Sequence, residues 1–254
     1  MASVNFSIYI PSKGRATTCL TPRLLLENNV PFTLVVEPQD HGSYLKAFPD
    51  TPILVLRKND QAIAYARRCI KNFSTKSGES WHWQFDDDLK SFKHRIDGKN
   101  IAVQPSDILP KIENYVLSYD NIGIAALRHH RWAWSQKTNL SFNNQCASFV
   151  LIKNDELRWR DDVIEDTDYS MQVLSSGLCT VIFNRFIYEA RPTGTAEGGN
   201  TELYKIALLQ QGQKLQEYWP GAFQIRDKLL PGGQYIKPSR IWKTFLQRPG
   251  ETIK

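Results

Sequence analysis

The sequence predicts an α/β fold: a mostly parallel sheet flanked by helices, followed by a C-terminal elaboration. Strand-like and helix-like stretches alternate at short spacing through the first third of the chain, the pattern that builds a parallel sheet covered on both faces. Each of those strands runs into a polar segment rather than a hairpin turn. The chain has 254 residues, 41% hydrophobic and 11% aromatic, enough for one large domain or for a core domain with an added piece.

Phe6–Ile10 reads as a buried strand, broken by Pro11-Ser12-Lys13-Gly14-Arg15. Thr17 or Thr18 is placed to cap a helix carrying Leu20, Leu24, Leu25 and Leu26. Phe32–Val36 is a second strand, a weaker helix covers Tyr44–Phe48, and Ile53–Leu56 is a third strand. Gln61–Phe73 has Ile63, Ala66 and Ile70 at helical spacing, with Arg67 and Arg68 beside them. Trp81–Phe85 alternates large aromatics with His82 and Gln84, a strand pattern. Beyond Asp88 the order changes. Phe92–Ile96 is a strand with a turn at Asp97-Gly98, Ile108–Ser118 a helix, and Ile122–Leu127 a strand. Asn139–Asn144 reads as loop, Cys146–Ile152 as strand, Asp168–Ser176 as a helix stopped by Gly177, and Leu178–Phe183 as strand. Arg191–Asn200, with Pro192 and three glycines, is a loop; Thr201–Tyr218 is a helix; and the proline-rich end is irregular.

No apolar run is long enough to span a membrane, and Phe6–Ile10 lacks the basic flank of a signal peptide, so no membrane association and a cytoplasmic location are expected. Cys19, Cys69, Cys146 and Cys179 are widely spaced, which excludes a disulfide framework or a Cys-x-x-Cys zinc site and fits a reducing compartment. Net charge is +6, favouring polyanionic partners, nucleic acid first. The excess has a local pattern. Arg128-His129-His130-Arg131-Trp132-Ala133-Trp134 mixes cations with aromatics, and the tail carries Lys237, Arg240, Lys243, Arg248 and Lys254 against Glu251. Arg128 and Arg131 suit phosphates while Trp132 or Trp134 suits a stacked base; the alternative is an amphipathic loop with its tryptophans packed inward.

In a parallel α/β sheet, ligands sit at the carboxyl ends of the strands. Those ends are Ser12-Lys13-Gly14-Arg15, Glu37, Arg57-Lys58-Asn59-Asp60 and Asp86-Asp87-Asp88. Three adjacent acids repel one another and add nothing to a core; a hard divalent cation with oxygen ligands is the usual compensation, and a solvated acidic turn is the bland alternative. Cations for phosphates beside acids for a metal are what a nucleotide diphosphate needs. A second cluster, Asp161-Asp162-Val163-Ile164-Glu165-Asp166-Thr167-Asp168, opens a helix. Its acids are either capping groups favoured by the helix dipole or, for one of them, a general base. His41, His82 and His94 have no metal-ligand spacing and are read as structural, and Cys146 has no base at a motif spacing.

The combination of strand–Pro-Ser-Lys-Gly-Arg, the Asn59…Ala66-Arg67 helix, Asp86-Asp87-Asp88 and Glu165-Asp166 resembles a GT-A nucleotide-sugar glycosyltransferase. Ile10-Pro11-Ser12-Lys13-Gly14-Arg15-Ala16 and Glu165-Asp166-Thr167-Asp168 resemble the TET/JBP-associated glycosyltransferases, many phage-encoded, thought to decorate hydroxymethylated pyrimidines in DNA. The resemblance implies a GT-A core over about residues 1–200, its nucleotide-sugar half ending near residue 90 and its acceptor half following, and a basic elaboration over 201–254. It implies donor contacts from Pro11, Ser12, Lys13, Arg15, Glu37, Asn59 and Arg67, and a D-x-D element in which Asp86 and Asp88 hold Mn2+ or Mg2+. Asp86 and Asp87 would reach the donor, and because three consecutive acids leave the register open, Asp87 in place of a neighbour is the alternative ligand. Asp166 would be the base, and Gly198 and Gly199 would let the backbone approach donor or acceptor. No histidine follows His130, so none can complete the metal shell from the C-terminal region as in many GT-A enzymes. The activity implied is metal-dependent transfer from a UDP-sugar to a 5-hydroxymethylpyrimidine in DNA. The alternatives are the same enzyme type with a protein or glycan acceptor, a nucleotidyltransferase or nuclease using the same carboxylates, and a nucleic-acid-binding module without activity.

Overall fold

A computed structural model describes residues 4–192, 201–225, 236–238 and 240–251. The first third alternates as expected: β1 (Ile8–Pro11), α1 (Thr21–Glu27), β2 (Thr33–Val36), α2 (His41–Ala47), β3 (Ile53–Val55), α3 (Ile63–Lys76) and β4 (Trp81–Phe85). There follow β5 (Leu89–Ile96), β6 (Lys99–Val103), α4 (Pro105–Leu117), β7 (Ile122–His129), α5 (His130–Ala133), β8 (Leu140–Phe142), β9 (Phe149–Lys153), α6 (Glu165–Ser175) and β10 (Cys179–Ala190). The C-terminal part holds α7 (Thr201–Tyr218) and the pair β11 (Phe223–Ile225) and β12 (Ile236–Pro238).

One ten-stranded sheet runs β3-β2-β1-β4-β9-β7-β10-β5-β6, with β8 paired to β10. β3, β2, β1 and β4 are parallel, so the ends at Val55, Val36, Pro11 and Phe85 lie on one edge. β9 is antiparallel to both β4 and β7, which brings its start beside the ends of those two strands, and β10 runs parallel to β7. The second half is therefore mixed in direction, but its strand ends still meet the same edge.

The alternation in β4 has a different cause from a half-solvated strand, because all five residues are buried. Trp81, Trp83 and Phe85 join the main core with helices α1, α2 and α4, through residues such as Leu25, Tyr44 and Ile112. The polar side is covered by α3, where Gln84 Nε2 donates to the Arg67 carbonyl at 3.2 Å. Trp83 Nε1 donates to buried Glu113 at 2.8 Å, satisfying a polar atom that burial would otherwise strand. A second core joins α6 to the same face as α3, with Trp159 stacked on Tyr169 at 4.2 Å.

Several sequence expectations need correction. Asp97 and Gly98 both have positive φ (48° and 78°), a turn that closes a hairpin, so β6 exists where no strand was read. Asn139–Asn144 is not all loop: three of its residues form β8. β10 runs on to Ala190. Neither Thr17 nor Thr18 caps α1, whose N-cap is Leu20 without a side-chain bond.

Gly123 marks a close approach of β7 to α6. A methyl group there would lie 2.7 Å from Val173 Cγ1 and 3.1 Å from Leu178 Cδ1. Gly123→Ala is expected to cost about 1–3 kcal/mol, read as a lower denaturant midpoint at unchanged m-value; an unaltered midpoint would show that α6 gives way freely.

Candidate active site

Of the three consecutive acids, the middle one faces the protein. Asp87 is 6% exposed; its carboxylate accepts from Ser12 Oγ and forms an ion pair with Arg15 Nη1 at 2.8 Å. Its carbonyl accepts from the Leu20 and Thr21 amides. Ser12 in turn meets the Tyr44 hydroxyl at 2.5 Å, and that hydroxyl accepts from the Arg15 amide. Asp87 thus ties the loop after β1 to the end of β4. Its carboxylate is taken up by Ser12 and Arg15, which leaves the flanking acids Asp86 and Asp88 as the pair toward the open side.

Asp86 and Asp88 are both half-buried. Burial, followed by the charges of Asp86 and Asp87, pushes Asp88 up to about 7. That is the signature of carboxylates packed without enough positive charge. Among the described residues no group of three or more His, Cys, Asp or Glu side chains converges as a metal cage. Two oxygen-donor side chains fit a hard cation that completes its shell with water and phosphate oxygens.

Glu37 closes the edge at β2. It is 4% exposed and accepts from Lys13 Nζ, the Asp60 and Gln61 amides, and Gln39 Nε2. Asn59 Oδ1 accepts from the Gln39 amide. Lys13 also pairs with Asp60 at 3.2 Å. With both oxygens engaged internally, Glu37 shapes the 59–61 loop beside the Lys13 ammonium. Pro11 is buried at the end of β1.

The second acid cluster meets the first through Arg67. This α3 side chain is 3% exposed; Nη2 pairs with Asp86 Oδ1 at 2.9 Å and Nε lies 3.8 Å from Glu165 Oε1. Its guanidinium lies over Trp159 at 5.4 Å. Helix α6 starts three residues earlier than the sequence reading, so Glu165 and Asp166 stand inside its first turn, where the dipole favours acids. Glu165 is buried, and burial, then Asp166, push it up to about 7. Asp166 is half-buried; Oδ2 accepts from Gln145 Nε2 at 2.9 Å and Oδ1 from the Thr167 amide at 2.6 Å. Burial raises its pKa, against the opposing bonds from Gln145 and Thr167. Asp168, by contrast, points away and accepts from Arg160, Gln172 and Trp219 Nε1, anchoring the chain that follows α7.

The sequence reading missed Tyr188 on β10. Buried, and bonded to Ser148, its hydroxyl is pushed up by burial and then by Asp86, Asp88 and Asp166 together. Tyr188 therefore lies within the electrostatic reach of both acid clusters. Ser148 has φ 65°, uncommon for a residue with a side chain, and its carbonyl accepts from the Asp86 amide at 3.1 Å. The signal available in sequence was a tyrosine placed beyond the expected end of its strand, which gave no reason to single it out.

The Arg128–Trp134 segment divides. Arg128 is a correction: its Nε and Nη2 donate to Asn184 Oδ1 at 2.8 and 2.6 Å, so it braces β7 against β10 instead of facing outward. Arg131 is exposed, and Trp132 and Trp134 are 56% and 74% exposed, so the inward-packing alternative fails for both indoles. The buried Ala133 seats α5 between them, and His129, just before it, meets Tyr188 edge-on at 5.0 Å. The exposed indoles therefore sit at the short helix that follows the β7 end paired with Tyr188 of β10. Cys146 is buried with its thiol pushed up to about 12, which fits no nucleophilic role, and His82 is buried with its pKa driven down to about 3. Gly198 and Gly199 lie outside the described residues. Among the described residues no helix is long and apolar enough to cross a membrane.

The family model for TET-associated glycosyltransferases matches residues 6–199, from before β1 to beyond β10. The chain belongs to that family. No curated protein matches its sequence. Among solved structures, this glycosyltransferase is similar to GalNAc-T7, crystallised with UDP, GalNAc and Mn2+, at 8% identity and TM-score 0.50, over 74% of this chain and 44% of that one. A putative nucleotide-diphospho-sugar transferase from Desulfovibrio desulfuricans G20 aligns at 10% identity and TM-score 0.43, over 85% of this chain and 98% of that one. A197 from STIV aligns at 14% identity and TM-score 0.43, over 74% and 84%. The TET-associated glycosyltransferase has the α/β fold of GT-A nucleotide-sugar transferases.

Proposed function

We propose that this glycosyltransferase moves a sugar from a UDP-sugar to the hydroxyl of a 5-hydroxymethylpyrimidine in DNA, with a divalent cation, Mn2+ or Mg2+, at the donor diphosphate. The observation that carries the reading is the joining of the two acid clusters by Arg67, which pairs with Asp86 at 2.9 Å and lies 3.8 Å from Glu165, the neighbour of Asp166. On this reading the donor half, about residues 1–90, holds the nucleotide along Pro11, Ser12, Lys13, Arg15 and the Asn59 loop. The strands to about residue 200 supply the acceptor side, and the remainder buttresses α6 through Trp219. Asp86 and Asp88 would hold the cation, with Asp87 holding Ser12 and Arg15 in place for the diphosphate. When bound, the cation neutralises charge on the departing nucleoside diphosphate.

The rest falls to this chain's own groups. Asp166, raised in basicity by burial and kept in one orientation by Gln145 and Thr167, receives the acceptor's proton. Lys13 and Arg15 bring positive charge to the phosphate side. Trp132 and Trp134 offer flat faces to an unstacked base, and Arg131 meets its phosphate.

The test is incubation of hydroxymethylcytosine and hydroxymethyluracil DNA with a panel of UDP-sugars and manganese, followed by mass spectrometry of the nucleosides. A hexose or pentose increment on a hydroxymethylated base is the expected result. Transfer only to protein or glycan, with none to DNA, would replace the acceptor; turnover at phosphorus would replace the reaction. For the acceptor surface, Trp132→Ala with Trp134→Ala should weaken single-stranded DNA binding by about 1–3 kcal/mol per stacked base. Arg131→Ala should make the salt dependence shallower by about one unit in log K against log salt. Both are read by fluorescence anisotropy across a salt series, and unchanged binding would remove the surface from the site.

A further inference from the structure

We propose that Arg67 and Glu165 form a buried strut that fixes the separation between the D-x-D carboxylates and the base, and that Arg67 does not contact the donor. The proposal rests on the reading that Asp86 belongs to the donor site and Asp166 to proton transfer.

Three observations carry it. Arg67 is 3% exposed, so its guanidinium has almost no surface to offer a ligand. Its ends join the two acid clusters: Nη2 to Asp86 at 2.9 Å and Nε toward Glu165 at 3.8 Å. Further contacts hold it in place. Nη1 meets Gln84 Oε1 at 3.4 Å, Gln84 returns a bond to the Arg67 carbonyl, and the guanidinium plane lies over Trp159, which stacks on Tyr169 of α6. Glu165 is likewise 6% exposed, which leaves Asp166, its half-buried neighbour, as the acid of that pair toward the open side.

The chemistry requires such a part. Asp86 ends β4 and Asp166 opens α6, two elements joined by about eighty residues and packed through different cores. Transfer demands that the proton acceptor stand at a fixed distance from the donor's anomeric carbon, and a displacement of about 1 Å can cost about 100-fold in rate. A planar guanidinium hydrogen-bonded to Asp86 and ion-paired across 3.8 Å with Glu165 constrains that distance from both clusters, which a flexible ammonium does not. Arg67 is therefore a positioning residue, acting through Asp86 and Glu165.

The experiment compares wild type with Arg67→Lys and Glu165→Gln in the full chain, measuring thermal unfolding, UDP affinity with manganese, and donor KM and kcat for transfer. The strut predicts that Arg67→Lys stays folded, keeps donor KM and UDP affinity within about threefold, and loses about 100-fold in kcat. Glu165→Gln, which changes one atom and keeps the shape, should lose kcat in the same sense. A raised donor KM with kcat intact in Arg67→Lys would make Arg67 a donor contact and overturn the strut, as would unchanged kinetics in both variants. Wild-type protein that binds no UDP overturns the donor reading, and the strut with it; wild-type binding and turnover with insensitive variants overturns the strut alone. If Arg67→Lys unfolds, Glu165→Gln decides through its pH profile: a strut lowers kcat but keeps the wild-type rise of kcat with pH, whereas loss of that rise would make Glu165 the base and overturn the strut.

Discussion

Asp88→Ala should abolish sugar transfer, on the order of 1,000-fold or more, and remove the manganese dependence of UDP binding. The reasoning starts from charge. Asp86 and Asp88 stand half-buried beside Asp87, and Asp88 is pushed up to about 7 chiefly by its burial. A carboxylate with a raised folded-state pKa holds its proton more tightly folded than unfolded. The metal-free protein therefore loses stability as pH climbs from the ordinary carboxylate range through about 7. A cation reverses the sign: it needs the ionised oxygen, so its binding releases a proton below pH 7 and tightens with pH until Asp88 is ionised. Thermal unfolding with and without manganese at pH 5, 6, 7 and 8 checks both halves. Wild type should gain most from manganese at the higher pH values, while metal-free Asp88→Ala should melt no lower than wild type at pH 8, because it has shed a repulsive charge. A variant that retains transfer, or a manganese gain that falls with rising pH, would take Asp88 out of the metal site.

How much of this site is legible in the residues alone depends on the range of the interaction. The limits of β4 coincide with the Trp81–Phe85 reading because its aromatic alternation is local, and the parallel order of β1 to β4 follows from strand and helix spacing. The register within Asp86-Asp87-Asp88 is not local. It is decided by Ser12 and Arg15, more than seventy residues away, which claim Asp87. Arg128 fails for the same reason: next to tryptophans it looks like a phosphate contact, yet Asn184, far along the chain, accepts two of its hydrogen bonds and Ser141 a third. Tyr188 carries no pattern at all until β10 is seen to run parallel to β7 and deliver it beside His129. Asp166 and Asp168 have the same side chain two residues apart on one helix. The 3.6-residue turn sends one toward Gln145 and the other toward Trp219. Chemical type was readable in sequence; direction came from partners that only the fold brings close.

Asp166→Asn should leave the fold and UDP binding intact while transfer falls by about 100- to 10,000-fold. The substitution keeps the shape of a side chain whose surroundings are already built. Oδ1 accepts from the Thr167 amide at 2.6 Å, and an amide oxygen can take the same bond. On the other side, Gln145 now donates to Oδ2 at 2.9 Å; rotating its amide presents its oxygen to the new NH2 group, so no buried donor is stranded. What disappears is the ability to take a proton. Burial raises the pKa of Asp166, so wild-type kcat should climb with pH through a midpoint above the ordinary carboxylate value and then level off. The residual rate of the asparagine variant should lack that limb. Titration with UDP and manganese, set beside pH profiles of nucleoside-level transfer, separates the outcomes. Lost UDP affinity would mean the residue serves the donor. Wild-type kcat in the variant would mean another group takes the proton, and Glu165, buried against Arg67, would be the next to replace with glutamine.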